Sequence, residues 1–176
     1  VGDSGPTYID QVALIRSVRM PMCLYAFRTV VRNVFVLLHN CALILVVFAV
    51  FGVWSGWYAL AAIPGLFLWI VDCVAVVLLL GGLCARFRDI NPIVNSLMQI
   101  GFFVTPVIWK PEQLGNWQHW LVVNPLFDLL EIVRAPLLGD PMSASVWIGA
   151  LVSSLGLIAI AWVFFIHARG RLAFWV

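Results

Sequence analysis

Apolar runs separated by short clusters of arginine, proline and glycine divide this 176-residue chain. Four of them, at about 30–53, 57–84, 91–109 and 144–167, approach or exceed the roughly 20 residues an α-helix needs to cross a hydrocarbon layer about 30 Å thick. The first run is entered past Arg28 and Arg32, one turn apart, and encloses His39 and Asn40. These two polar side chains either bond a neighbouring helix or meet a substrate. Gly52 to Gly56 reads as an interfacial turn, with Trp54, Trp57 and Tyr58 fitting an aromatic belt. In the second run Pro64 and Gly65 lie near the start, Gly81 and Gly82 near the end, and Asp72 is the only charge before the closing Arg86. A carboxylate at mid-span costs roughly 2.5–3.5 kcal/mol on insertion scales, so Asp72 is expected to face protein or water and to be neutral, paired or functional. The third run begins behind Arg86, Arg88 and Asp89, passes Asn91-Pro92, and leaves through Thr105-Pro106 to Trp109 and Lys110. Trp147 and Trp162 sit toward the ends of the last run, and Gly149 and Ser153 give it a small-residue face.

Two segments do not read as crossings. Thr7 to Arg19 places Tyr8, Val12 and Ile15 on one helical face and Asp10, Gln11, Arg16 and Ser17 largely elsewhere, which predicts a short amphipathic helix broken at Pro21. Such a helix either lies on the lipid surface or docks on a partner. Prolines and glycines cut the segment at about 110–141 into pieces too short to span. Two short helices that dip into the membrane edge or lie on it are expected there, covered by protein or water. Asn124-Pro125 has the form of a helix cap and first turn, and Asp128, Glu131 and Arg134 follow at three-residue steps that could pair them on one face. The expected organisation is a loop with its amphipathic helix over 1–21 and a membrane domain over 22–176.

Composition agrees: 64% of residues are hydrophobic, 10% are charged, and the mean hydropathy is +1.06. Soluble domains carry about 25% charged residues. The expected fold class is therefore all-α: a polytopic membrane protein with four transmembrane helices, short outer re-entrant or gate helices, and a cytoplasmic amphipathic helix. A net charge of +2 in scattered clusters gives no footprint for nucleic acid. Assigning alternate loops to one side gathers Arg16, Arg19, Arg28, Arg32, Arg86, Arg88, Arg169 and Arg171 together and leaves Lys110 and Arg134 opposite. By the positive-inside rule the N-terminal segment, the Arg86–Asp89 loop and the C-terminus are cytoplasmic, and the 110–141 segment is outer. Cys23, Cys41, Cys73 and Cys84 stand singly, without ligand-like spacing, and read as small hydrophobes. The chain has no GxxxxGK[ST] loop and no catalytic or metal-ligating cluster. Gly2 to Pro6 spells GDSGP, as in a protease nucleophile segment, but lacks a companion His and Asp at suitable positions. With Val1 opening a polar loop and no leader ahead of it, the sequence reads as the C-terminal part of a longer protein.

Four stretches carry a family resemblance: IRSVRMPMCLYAFRTVVRN from Ile15, ARFRDI from Ala85, FFVTPVIW from Phe102, and NPLFDLLEIVRAPLLG from Asn124. In this order they resemble the permease subunits of bacterial ABC exporters of cell-surface polysaccharides, and the last piece resembles those of O-antigen, or lipopolysaccharide, export. Members of that family have an N-terminal amphipathic helix and six spans, so this chain would begin in the cytoplasmic loop before the third.

The resemblance implies a homodimer in the bacterial inner (cytoplasmic) membrane. It would pair with a separate nucleotide-binding subunit that holds ATP and Mg, would bind no cofactor itself, and would itself be no enzyme. An undecaprenyl-diphosphate-linked glycan would be the cargo. The helix with Tyr8, Val12, Ile15 and Arg16 would be the coupling helix that docks on the ATPase. Arg86, Arg88 and Asp89 would stand at the cytoplasmic mouth, either holding the loop by ion pairing or meeting the lipid-linked diphosphate. The outer gate would comprise Trp117, Trp120, Asp128, Glu131 and Arg134. Phe102, Phe103 and Trp109 are the candidate path-lining aromatics, because flat rings contact the apolar faces of sugars without demanding one glycan sequence; the alternative for each is a ring that faces lipid or packs against protein. Asp72 stands where relatives are expected to carry a neutral polar residue. Two other classes remain: a proton-coupled carrier titrating Asp72, and a membrane-embedded glycan-processing enzyme.

Overall fold

The computed structural model describes residues 2–8, 11, 22–52, 56–107, 109, 111, 113, 115, 121, 124–141, 143–168 and 170. Among these are five α-helices and no strand: α1 (Met22–Phe51), α2 (Ala62–Arg86), α3 (Ile90–Val104), α4 (Pro125–Leu138) and α5 (Ala144–Ala168). Short 3-10 turns cover Gly2–Thr7 and Gly56–Ala61. At 1.5 Å per residue the 25 residues of α2 or α5 measure about 37 Å, enough for the hydrocarbon layer. Three described segments, Leu24–Phe51, Gly56–Arg86 and Ala144–Ala168, are long and apolar enough to cross a membrane.

The third expected crossing is shorter than its apolar run. Helix α3 has 15 residues, about 22 Å, and stops at Val104 rather than continuing to Trp109. Pro106 explains the stop. The Thr105 N–H still bonds the Gly101 carbonyl at 2.8 Å, but proline offers no N–H, and the Val107 N–H turns back to the Thr105 carbonyl at 2.7 Å. Hydropathy passes over this break because the residues beyond the proline are apolar too.

The chain forms two compact units, one drawn from Val1–Leu37, Ile70–Met98 and Gly156–Val176, the other from Leu38–Trp69 and Gln99–Leu155. In the first, Tyr25, Ala26 and Val30 of α1 pack with Val77 and Ala85 of α2, Ala168 of α5, and Tyr8. In the second, Ala62 of α2, Ile132 and Val133 of α4, and Val146 and Ala150 of α5 form the core. The alanines among them, Ala26, Ala85 and Ala168 in the first core and Ala62 and Ala150 in the second, let the helices approach closely, as membrane helices do where apolar area alone supplies little drive. Leu43 to Val47 of α1 are exposed, as suits side chains that meet lipid or other protein.

Candidate functional site

The second unit carries the 110–141 segment, and α4 is its described helix. Asn124 caps it: the backbone there is extended, and the side-chain oxygen accepts the Leu126 N–H at 3.0 Å. Pro125 follows at the first helical position, where a missing N–H costs nothing. Gly139 closes the helix with φ +79, and its N–H and that of Asp140 return to the Pro136 and Ala135 carbonyls. The cap-and-turn reading of Asn124-Pro125 is thus borne out. The second short helix expected in this region falls on residues outside those described, as do Trp117 and Trp120.

Helix α4 is tied to the end of α3 by side chains. Asn124 Nδ2 donates to Thr105 Oγ1 at 3.1 Å, and Arg134 Nη1 donates to the Pro106 carbonyl at 3.0 Å. Trp109 Nε1 donates to the Phe103 carbonyl at 3.1 Å. Each bond serves a polar group near the end of α3, where helical carbonyls run out of N–H partners. On another side of α4, Trp69 Nε1 of α2 donates to the Leu129 carbonyl at 2.6 Å. Pro136 deprives the Ile132 carbonyl of its usual donor, and that oxygen faces Gly65, where an added Cβ would stand 3.0 Å away. The Gly56–Ala61 turn also packs on α4.

The expected pairing of Asp128, Glu131 and Arg134 on one face is corrected. Residues six apart lie about 120° from each other around a helix, so three-residue steps drift off a face by the second step. Arg134 reaches the Pro106 carbonyl, whereas Asp128 is 2% exposed and turns toward Gly149 of α5, its Oδ1 without a hydrogen-bond partner. Burial pushes the Asp128 carboxyl up to about 6. The Glu131 side chain is partly buried, with Oε2 enclosed.

The candidate path aromatics divide. Phe102 and Phe103 are exposed on α3, their rings edge to face with centroids 5.7 Å apart. Trp109 is half-buried and committed through its indole N–H to the end of α3. Trp57 and Tyr58 are exposed, as an aromatic belt requires. His39 and Asn40 are exposed, and their side chains make no hydrogen bond with the described residues.

In the first unit, Arg86, Arg88 and Asp89 are all exposed in the turn from α2 to α3. The Arg86 guanidinium lies 5.1 Å from the Phe87 ring centroid. Neither Arg88 nor Asp89 forms an ion pair with a described residue; the turn is held by backbone bonds from Phe87 N–H to Leu83 and from Ile90 N–H to Phe87, at 2.8 and 3.2 Å. Asp72 is 6% exposed, facing protein as its cost in lipid demands. Tyr8 is fully buried in the core of its own unit, so its ring is an anchor; Val12, Ile15 and Arg16 lie outside the described residues. Cys41, Cys73 and Cys84 are free thiols, and no cluster fit to hold a metal occurs among the described residues.

Long apolar helices, a helical segment too short to span that is bound to the end of α3, and an arginine-bearing turn define an all-α, multi-pass membrane protein. Residues 12–138 match the ABC-2 type transporter family, and the chain belongs to that family. It is also 25% identical over 138 residues to the O-antigen export system permease protein RfbA of Myxococcus xanthus, an alignment covering 77% of this chain and 53% of that protein. The chain thus spans about half the length of that curated relative. The contacts of Trp69, Gly65, Thr105 and Gly149 with α4 and its cap are not foreseen by the sequence. Thr105 beside a proline, Gly65 beside Pro64 and Gly149 on a small-residue face carry local signals, whereas Trp69 carries none.

Proposed function

We propose that this chain belongs to the transmembrane subunit of an ATP-driven exporter that moves a lipid-linked, O-antigen-like polysaccharide across the bacterial inner membrane. The observation that carries the reading is the family match across 12–138, which takes in the arginine-bearing turn, α3 and α4 together. The RfbA likeness supports the choice of cargo class. ATP hydrolysis resides on a separate nucleotide-binding subunit, and two copies of the permease form the path. The Arg86–Asp89 turn opens to the cytoplasm and receives the diphosphate of the carrier lipid: Arg88 is exposed and pairs with no described residue, which leaves a charge available for an anion. Helix α4 closes the path on the outer side. Phe102 and Phe103 offer flat apolar surface to passing sugar rings.

Deletion of the gene tests this in the cell. Finished lipid-linked glycan should accumulate on the cytoplasmic face while surface glycan disappears, and the full-length permease supplied in trans should reverse both. Unchanged surface glycan in the deletion strain would contradict the proposal.

A further inference from the structure

The turn Gly2–Thr7 is not a loose leader to the amphipathic segment behind it. Ser4 is 1% exposed, Thr7 3% and Tyr8 0%. The turn lies against α2 and α3 within the first unit. A Cβ added to Gly81 would come 3.0 Å from Tyr8 Cε2 and 3.2 Å from the Ser4 carbonyl oxygen. One added to Gly5 would overlap the Asn91 side chain, and one added to Gly2 would touch Asn95 Oδ1 at 3.4 Å. Gly81 therefore provides a notch that only a residue without a side chain leaves open, and the Tyr8 ring fills it. The chain continues from Tyr8 directly into the segment with Val12, Ile15 and Arg16, while Gly81 and Asn91 flank the Arg86–Asp89 turn.

We infer that Tyr8, seated on Gly81, is a positioning residue that makes the 2–8 turn and the α2–α3 junction move as one body, so that displacement of the amphipathic segment is delivered to the arginine-bearing mouth. This rests on the exporter reading, in which that segment meets the ATPase. Interiors packed this closely transmit displacement because they have no slack to absorb it. A turn merely resting on the surface would slip.

The experiment uses full-length permease with its nucleotide-binding subunit in proteoliposomes, recording lipid-linked glycan moved per ATP hydrolysed. Gly81→Ala and Tyr8→Ala should lower that ratio on the order of tenfold, within the usual range of coupling between sites. Tyr8→Phe keeps the ring and should keep the ratio. Should the alanine variants not fold, a cysteine pair takes their place. A Cβ on Gly5 would lie 3.3 Å from the Asn91 Cβ, just under the usual disulfide range of about 3.5–4.5 Å and within a small backbone adjustment of it. The oxidised Gly5→Cys/Asn91→Cys protein should transport as well as its reduced form, because the bond joins parts that already move together. Alanine variants that fold and keep the wild-type ratio overturn the inference, and so does a disulfide that stops transport until it is reduced. A wild-type complex without ATP-driven transport overturns the exporter reading itself, a result readily told apart from these.

Discussion

The carboxyl group of Asp128 lies against the α-carbon of Gly149, so close that a Cβ on residue 149 would overlap its Oδ2 and stand 2.9 Å from its Cγ. A buried acid on a short helix is thus held against the one kind of residue that leaves room for it. Gly149→Ala should destabilise the protein by about 1–3 kcal/mol through overpacking, read as a lower midpoint of thermal unfolding in detergent. Adding Asp128→Ala to Gly149→Ala should recover most of the loss. An unchanged midpoint in the single variant would show that the contact has slack.

The same carboxyl gives stability a pH dependence. Burial raises its pKa to about 6 from the ordinary 3.8, so the folded protein favours the protonated form. Its contribution is fully present below about pH 4 and is lost as pH rises through about 6, a difference of roughly 3 kcal/mol at most. Glu131 and Arg134 are the charged neighbours on α4 itself, while residues 62–69 of α2 and 146–150 of α5, which pack on that helix, bring no titratable group. Asp128→Asn should flatten the unfolding midpoint between pH 4 and 7 relative to wild type. A wild-type curve already flat over that interval would contradict the burial.

Arg134→Ala removes the donor to the Pro106 carbonyl, and Asn124→Ala removes both the α4 cap and the bond to Thr105. Each should cost about 1–3 kcal/mol, the range for leaving a buried polar group unserved. Hydrogen exchange should rise at Thr105 and Val107 in both variants. Protection equal to wild type at those amides would mean that the side-chain bonds do not hold the junction.

Phe102→Ala with Phe103→Ala should lower glycan export while leaving protein level and pairing with the ATPase intact, because both rings are exposed and the cores do not depend on them. Export at the wild-type rate would sink the path-lining role.

Much of this architecture could be read from sequence, for a physical reason. Spans such as α2 and α5 are long apolar runs, and a bilayer selects them by length and hydropathy alone. Asn124-Pro125 was legible because capping depends on adjacent residues. The end of α3 was misjudged because hydropathy does not register the missing N–H of Pro106. Helical spacing placed Tyr8 on an apolar face but could not say that the face would be occupied by Gly81 of the same chain. The Trp69 bond to Leu129 joins residues 60 apart, and no local pattern announces it.

In the proposed function, ATP hydrolysed by a partner subunit drives a lipid-linked glycan through the permease to which this chain belongs. Transport of such a glycan by the full-length permease, reconstituted with its nucleotide-binding subunit, tests it most directly. Delivery to the far leaflet should require ATP and should stop when the Walker lysine of the partner is replaced by alanine. Delivery that continues without ATP, driven by a proton gradient and abolished by Asp72→Asn, would contradict it.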